Sequence, residues 1–149
     1  MNERIAGRLK DPKVAHDARL LGDFTDVYCA GLHADRLRSR LESDGVLLGV
    51  YRKRVPRLCG ECAEFMRYAE GRRALCQKHP KPFCVACETH CYKPDMRAYS
   101  RDVMRYAGPK SWKRGYVVDG IKHAIAMRKF KQAQARAAAS GANTREETS

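Results

Sequence analysis

The stretch LCGECAEFMRYA, residues 58–69, places two cysteines directly before a helical pattern. Two residues separate Cys59 from Cys62, so both sulfurs can face one metal ion from a tight turn. Apolar side chains then recur at helical spacing, at Phe65, Met66 and Ala69. The spacing predicts a helix over residues 61–75 that begins beside a metal site.

A second cysteine group repeats this spacing further along the chain. Cys84 and Cys87 form another C-x2-C pair, and Cys91 follows them. Two such pairs resemble the pattern of a tetrahedral zinc site, whereas the close triplet with one remote thiolate could hold a [4Fe–4S] cluster. The spacing leaves Zn²⁺ and [4Fe–4S] open. The candidate metal ligands are all seven cysteines: Cys29, Cys59, Cys62, Cys76, Cys84, Cys87 and Cys91.

Two histidines join this candidate set. His90 is the neighbour of Cys91, and His33 follows Cys29 by four residues. Residues four apart lie on the same face of a helix. We therefore treat both histidines as further candidate ligands or as hydrogen-bond partners of the ligands.

Three other segments have helical periodicity. Residues 12–33 have an apolar stripe at Val14, Ala18, Leu21, Thr25 and Tyr28. A proline-led helix from residue 94 has a seam of Met96, Tyr99, Val103 and Tyr106, and Gly108-Pro109 ends it. A last helix is predicted from about residue 112 to the mid-130s, with an inner face of Val117, Ile121, Ala124, Ile125 and Arg128.

These elements predict a mainly α fold, a small domain of about four helices stapled by a cysteine-rich metal site. The domain is expected to span residues 1–131. Within it, residues 34–57 are interpreted as an insertion or extended linker, with a short strand or buried loop at 46–51. Residues 132–149 are expected to be a tail that passes from helix to disorder, with disorder from residue 140.

The compartment decides how the cysteines are interpreted. The first residues have no apolar signal region, and no stretch is apolar over the roughly 18 residues of a membrane span. We therefore expect a cytoplasmic protein without a membrane partner. Cytosolic thiols stay reduced, so ligands or reactive groups are favoured over disulfides.

The chain is strongly basic, with a formal net charge of +13. Such a charge favours anionic partners, nucleic acid first. The candidate nucleic-acid-binding residues lie in the basic second half: Arg97, Arg101, Arg105, Lys110, Lys113 and Arg114. The simpler interpretation is that these residues solvate the surface of a helix.

Motifs of common enzyme classes are absent from the sequence. It contains no nucleophile elbow, P-loop, paired catalytic carboxylates or dinucleotide fingerprint. The chain is therefore expected to be a binding protein rather than an enzyme. A cysteine-based redox enzyme that uses Cys29 or Cys76 ranks last among the alternatives.

Three longer motifs stand out in the sequence: KPFCVACETHCYKPDMR at 81–97, VMRYAGPK at 103–110 and LCGEC at 58–62. In these motifs the sequence closely resembles the nitrous oxide-stimulated promoter family of small bacterial proteins. The pairs Tyr28-Cys29 and Tyr68-Ala69 and the single Cys76 also fall on the family pattern. The match covers roughly residues 14–130 and all seven cysteines, whereas residues 34–57 and the tail after about 131 depart from the pattern.

The resemblance implies a link to nitric oxide and nitrosative stress, and it supplies no established biochemical activity. Together with the thiols, it leads us to expect a metal–thiolate protein that acts as a sensor, a protective factor or a metal-handling factor. The alternative is a metal-stapled module that binds nucleic acid through a basic helical face.

Overall fold

A computed structural model describes residues 2–76 and 92–147. The chain forms two compact units, Met1–Arg114 and Gly115–Ser149. The first contains α1 (Glu3–Leu9), α2 (Pro12–Leu32), β1 (Ser39–Arg40), α3 (Asp44–Leu47), β2 (Arg57–Leu58), α4 (Gly60–Leu75), α5 (Pro94–Ala107) and a 3₁₀-helix (Gly108–Arg114). The second contains α6 (Val117–Glu147). The predicted mainly α fold is confirmed, although the described residues form six α-helices rather than about four.

Local sequence explains where the two long helices of the first unit begin. The Asp11 side chain accepts a hydrogen bond from the Lys13 backbone N–H, and Pro12 occupies the first helical position of α2. At α4 the capping residue is Cys59, whose sulfur accepts from the Cys62 backbone N–H. A candidate metal ligand therefore also caps a helix.

The core of the first unit lies where α2 packs against α4 and α5, and α1 packs against α4. Its largest fully buried side chains include Phe65, Leu9, Leu41, Leu58, Met66, Val14 and Val103. Arg73 of α4 pairs with Asp17 of α2 at 2.6 Å, which ties the two helices together at the edge of the core. The apolar stripes predicted for α2 and α4 are confirmed by this packing.

Residues 34–57, predicted to be an insertion or linker, pack into the core of the first unit. β1 and β2 form a short antiparallel pair with Ser39 opposite Leu58. Between them, residues 46–51 form the end of α3 and turns rather than a strand. Leu41, Val50 and Tyr51 are buried. The segment is therefore held at both ends and along its length.

Glu70 anchors this segment to α4. Its buried carboxylate accepts hydrogen bonds from the Gly45 backbone N–H at 2.8 Å, the Ser43 hydroxyl at 2.9 Å and the Tyr51 hydroxyl at 2.5 Å. A buried carboxylate is tolerated only when its oxygens are hydrogen-bonded in this way. Glu70 thus fixes the position of α3 on α4.

The second unit departs from the prediction in three ways. α6 starts at Val117, after Gly115 with its positive φ of 88°, rather than near residue 112. It continues to Glu147, beyond the alanine-rich residues 132–139, which favour a helix, and into the segment from residue 140 that was predicted to be disordered. The predicted inner face is wrong: Val117, Ile121 and Ile125 are about half exposed. An apolar stripe indicates burial only where another element covers it, and the described part of this unit offers none.

The predicted boundary at residue 131 does not coincide with the division after Arg114. No helix of the described residues is long and apolar enough to cross a membrane.

Candidate metal centre

Four buried side chains of the first unit converge on one point: Cys29, His33, Cys59 and Cys62. Cys29 lies in the last turn of α2 and His33 caps that helix, so their spacing of four places both on the same face. Cys59 and Cys62 come from the cap and first turn of α4. Their ligand atoms all lie within 4.8 Å of one another.

The distances from His33 to two of the sulfurs match the geometry of a single tetrahedral ion. The Nδ1 atom of His33 is 3.5 Å from the Cys59 sulfur and 3.4 Å from the Cys62 sulfur. Around tetrahedral zinc, with bonds of about 2.3 Å to sulfur and about 2.0 Å to nitrogen, neighbouring ligand atoms are about 3.5 to 3.8 Å apart. Three cysteines and one histidine form a complete structural zinc ligand set. The residues therefore fit a metal ion.

Backbone N–H groups support the sulfurs. The Cys59 N–H donates to the Cys29 sulfur at 3.3 Å, and the Cys62 N–H donates to the Cys59 sulfur at 3.5 Å. Hydrogen bonds of this kind stabilise the negative charge of a thiolate, as does the N-terminal end of a helix. The start of α4 is thus arranged to hold deprotonated cysteines.

Arg36 places a positive charge close to the Cys59 sulfur. Its Nη1 atom lies 3.8 Å from the Cys59 sulfur and 2.6 Å from a carboxylate oxygen of Glu61. Burial alone would raise the pKa of Cys59, but the Cys62 backbone N–H and the Arg36 guanidinium outweigh it and lower the pKa to about 6. Cys59 therefore loses its proton more readily than an ordinary cysteine.

Tyr99 provides a hydroxyl group beside the sulfur of Cys62. Its hydroxyl oxygen lies 3.0 Å from the Cys62 sulfur. Burial raises the pKa of Tyr99, so the hydroxyl keeps its proton and can donate it to the sulfur. Burial also raises the pKa of the Cys62 thiol. A bound cation would reverse this effect, since a metal deprotonates the thiol that coordinates it.

The described part of the chain brings together only some of the predicted ligands. Cys29, Cys59, Cys62 and His33 meet in the group, whereas Cys76 is half-buried at the end of α4 and is not one of the four. Cys84, Cys87, Cys91 and His90 lie outside the described residues. The pairing of Cys59 and Cys62 with Cys84 and Cys87 therefore remains a prediction.

Two residues at the site were not predicted from the sequence. The sequence places Tyr99 in a buried seam of α5, and α5 packs against α2, the helix that carries Cys29. Arg36 lies after the end of α2 and carried no periodic signal. Tyr28 also supports the site, because its ring makes an edge contact with His33 at a centroid distance of 5.3 Å.

The candidate nucleic-acid-binding residues divide into two groups. Arg101, Arg105, Lys110 and Lys113 are exposed and Arg97 is half-buried. Arg114 is engaged within the fold instead, with bonds of 3.0 Å to Asp23 and 2.8 Å to Asp26. Its charge is therefore matched by the protein.

Comparison with known proteins agrees with the resemblance seen in the sequence. A family model described as nitrous oxide-stimulated promoter matches residues 12–136. The chain is 31% identical over 68 residues to the uncharacterized protein YgbA of Escherichia coli (strain K12), a match that covers 43% of this chain and 58% of that protein. No solved structure matches the chain. Because the family model covers most of its length, the chain belongs to the nitrous oxide-stimulated promoter family.

Proposed function

We propose that this chain is a metal–thiolate protein of the response to nitric oxide, with one Zn²⁺ ion bound by Cys29, His33, Cys59 and Cys62. The observation that carries the proposal is the convergence of four buried ligand atoms within 4.8 Å. Three unpaired buried cysteines and a histidine rarely meet so closely without a ligand role, since free cysteine otherwise packs as a small apolar residue.

The compact ligand set favours a single ion over an iron–sulfur cluster. In a four-iron cluster each thiolate binds a different iron, so the ligands must surround a body larger than one ion. Here one histidine nitrogen is within 3.5 Å of two sulfurs. With sulfur and imidazole ligands, Zn²⁺ is the first candidate.

The ion would act as a staple between α2 and α4. Two ligands come from the end of α2 and two from the start of α4. A structural zinc ion contributes its binding free energy to folding when the site does not exist in the unfolded chain. Loss of the ion would therefore loosen the contact between these helices.

The proposed link to nitrosative stress follows from this coupling and from the family. The family description refers to stimulation by nitrous oxide. Thiolates that bind a metal are nucleophiles, so one of them would take NO⁺ from an S-nitrosothiol, whose own sulfur leaves as a thiolate. The neutral S-nitroso sulfur that results would bind the ion more weakly. The chain would then serve as a sensor, a protective factor or a metal-handling factor.

Metal and sulfide analysis of protein purified without oxygen tests the proposal. We expect bound zinc, little sulfide, and a loss of about one zinc ion in Cys59→Ser and in His33→Ala, because each variant removes one of four ligands. Cys76→Ser is the matched control, a cysteine outside the group. Unchanged zinc in both ligand variants would sink the assignment, and stoichiometric sulfide with visible absorption would replace zinc by a cluster.

A second experiment tests the proposed role in nitrosative stress, separately from the presence of the metal. S-nitrosoglutathione, which transfers NO⁺ to a thiolate and leaves as the glutathione thiolate, is added anaerobically to the zinc-loaded protein, and released zinc is followed with a colorimetric chelator. We expect release from the unmodified chain and from Cys76→Ser. If the centre keeps its zinc in the presence of S-nitrosoglutathione, the site is structural only, and the proposed role in sensing is rejected.

Binding of nucleic acid through the basic helical face is a second candidate function. It is favoured by the exposed positions of Arg101 and Arg105 on α5 and of Lys110 and Lys113 on the 3₁₀-helix. It requires binding that weakens steeply with salt. Absence of binding at low salt would exclude it without affecting the metal site.

A further inference from the structure

Trp112 is a large aromatic side chain exposed on the surface of the first unit. It is the single tryptophan of the chain, and 61% of it is exposed on the 3₁₀-helix Gly108–Arg114. Tryptophan usually contributes a large buried area to a core or an interface. An exposed indole ring in a folded unit is therefore a candidate contact for a partner.

The charges beside Trp112 are positive. Lys110 and Lys113 flank it in the 3₁₀-helix, and Arg105 occupies the last turn of α5; all three are exposed. The ammonium nitrogen of Lys113 lies 5.7 Å from the centroid of the indole ring. Within residues 2–76 and 92–147, no ion pair involves any of these three side chains.

The 3₁₀-helix that carries Trp112 is tied to the core on both sides of the ring. Arg114 binds Asp23 at 3.0 Å and Asp26 at 2.8 Å, both on α2. The ammonium nitrogen of Lys110 lies 3.9 Å from the centroid of the Tyr106 ring of α5. The backbone that carries the indole is thus anchored before any partner binds, which reduces the entropy lost on binding.

We propose that Trp112 is a stacking platform for the bases of a single-stranded nucleic acid, with Arg105, Lys110 and Lys113 binding its phosphates. The inference rests on the second proposed function and specifies its partner and contact residue. A single strand fits better than a duplex because its unpaired bases expose a flat face to an aromatic ring, whereas a duplex stacks its bases internally. Basic side chains around an exposed ring supply the matching phosphate contacts.

The single tryptophan provides a direct readout. A fluorescein-labelled oligothymidine is titrated into the full zinc-loaded chain at low salt, with binding followed by anisotropy and stacking by quenching of tryptophan emission. We expect quenching that saturates together with anisotropy, and weaker binding as salt rises. Heparin, a polyanion without bases, should bind through charge and cause little quenching.

Substitutions at exposed positions distinguish stacking from charge. Trp112→Ala should weaken binding about tenfold or more, whereas Trp112→Tyr should retain most of the affinity because it keeps an aromatic face. Lys113→Gln should weaken binding and reduce its dependence on salt. Val118→Ala is the matched control, another large exposed apolar side chain without flanking lysines on both sides.

Each remaining outcome overturns a defined part of the proposal. Binding without quenching, or an unchanged affinity in Trp112→Ala, would place the nucleic acid elsewhere and remove the stacking role while the second proposed function stands. Tighter binding to a duplex of the same length would reject the single-stranded partner. Absence of all binding at low salt would reject the second proposed function and this inference together, and zinc content would be unaffected.

Discussion

The hydroxyl oxygen of Tyr99 lies 3.0 Å from the sulfur of Cys62, a contact that joins α5 to the first turn of α4 at the metal centre. The Tyr99 ring also packs against Phe65 at a centroid distance of 5.0 Å and against Tyr28 at 5.8 Å. The hydroxyl is therefore held by three elements rather than by its own helix alone. Tyr99 is a positioning residue for Cys62.

Replacement of Tyr99 by Phe should weaken zinc binding about 10- to 100-fold, the usual cost of removing a hydrogen-bond partner of a metal ligand. A competition titration against a zinc chelator measures the affinity. In the cobalt-substituted protein, the sulfur-to-metal charge-transfer band should also shift because Cys62 loses a donor.

Tyr106→Phe is the control for this prediction. Tyr106 lies on the same helix and makes a similar edge contact with Tyr28, at 6.0 Å between ring centroids. No ligand sulfur is among its described hydrogen-bond partners. Equal losses in both variants would show that packing of α5, rather than the Tyr99 hydroxyl, supports the site.

Removal of the metal should lower the unfolding temperature of the unmodified chain, because an ion that binds only the native state stabilises it by mass action. Thermal unfolding with and without a strong chelator measures the effect. In His33→Ala the chelator should change the unfolding temperature far less, since the site already lacks a ligand. A chelator effect of equal size in both proteins would place the stabilising ion elsewhere.

Replacement of Tyr51 by Phe should destabilise the first unit by about 2 kcal/mol at neutral pH, because the charged Glu70 carboxylate loses one of three donors. Urea unfolding followed by circular dichroism measures the difference.

Burial, and then the charge of Glu70, raise the pKa of Tyr51 above the ordinary value of 10.0. A raised pKa contributes stability that is present below pH 10 and is lost as the pH rises through the folded value. The gap between the two proteins should therefore narrow above pH 10; a constant gap would mean that Tyr51 acts only through packing.

Local spacing was enough to predict each of the two ligand pairs of the metal site separately. The interval of four between Cys29 and His33 and the C-x2-C of Cys59 and Cys62 are each fixed by helix and turn geometry, which acts over a few residues. The meeting of these two pairs depends on how α2 packs against α4, across about thirty residues of chain. Cys84 and Cys87 have the same C-x2-C spacing in the sequence, so spacing alone could not choose between the partners.

The errors in the predicted fold have a similar physical origin. The stripe of α2 predicted burial correctly because α4 and α5 cover it. The stripe at Val117, Ile121 and Ile125 is half exposed, and the described part of its unit contains no second element to cover it. The role of residues 34–57 was missed because its main anchor, the buried carboxylate of Glu70, lies on another element. A glutamate in a helix is ordinarily read as a solvent-facing residue.

Gly45 and Gly7 provide a matched pair of substitutions that test the Glu70 anchor. A Cβ atom at Gly45 would lie 2.6 Å from a carboxylate oxygen of Glu70 and 3.0 Å from the Tyr51 ring, whereas a Cβ at Gly7 meets nothing within 4 Å. Gly45→Ala should therefore destabilise the first unit by about 1 to 3 kcal/mol through overpacking and displacement of the carboxylate. Gly7→Ala, in the exposed part of α1, should stabilise it by about 0.5 kcal/mol by restricting the unfolded chain. Urea unfolding of both variants measures the signs, and a neutral Gly45→Ala would show that α3 does not depend on its close approach to Glu70.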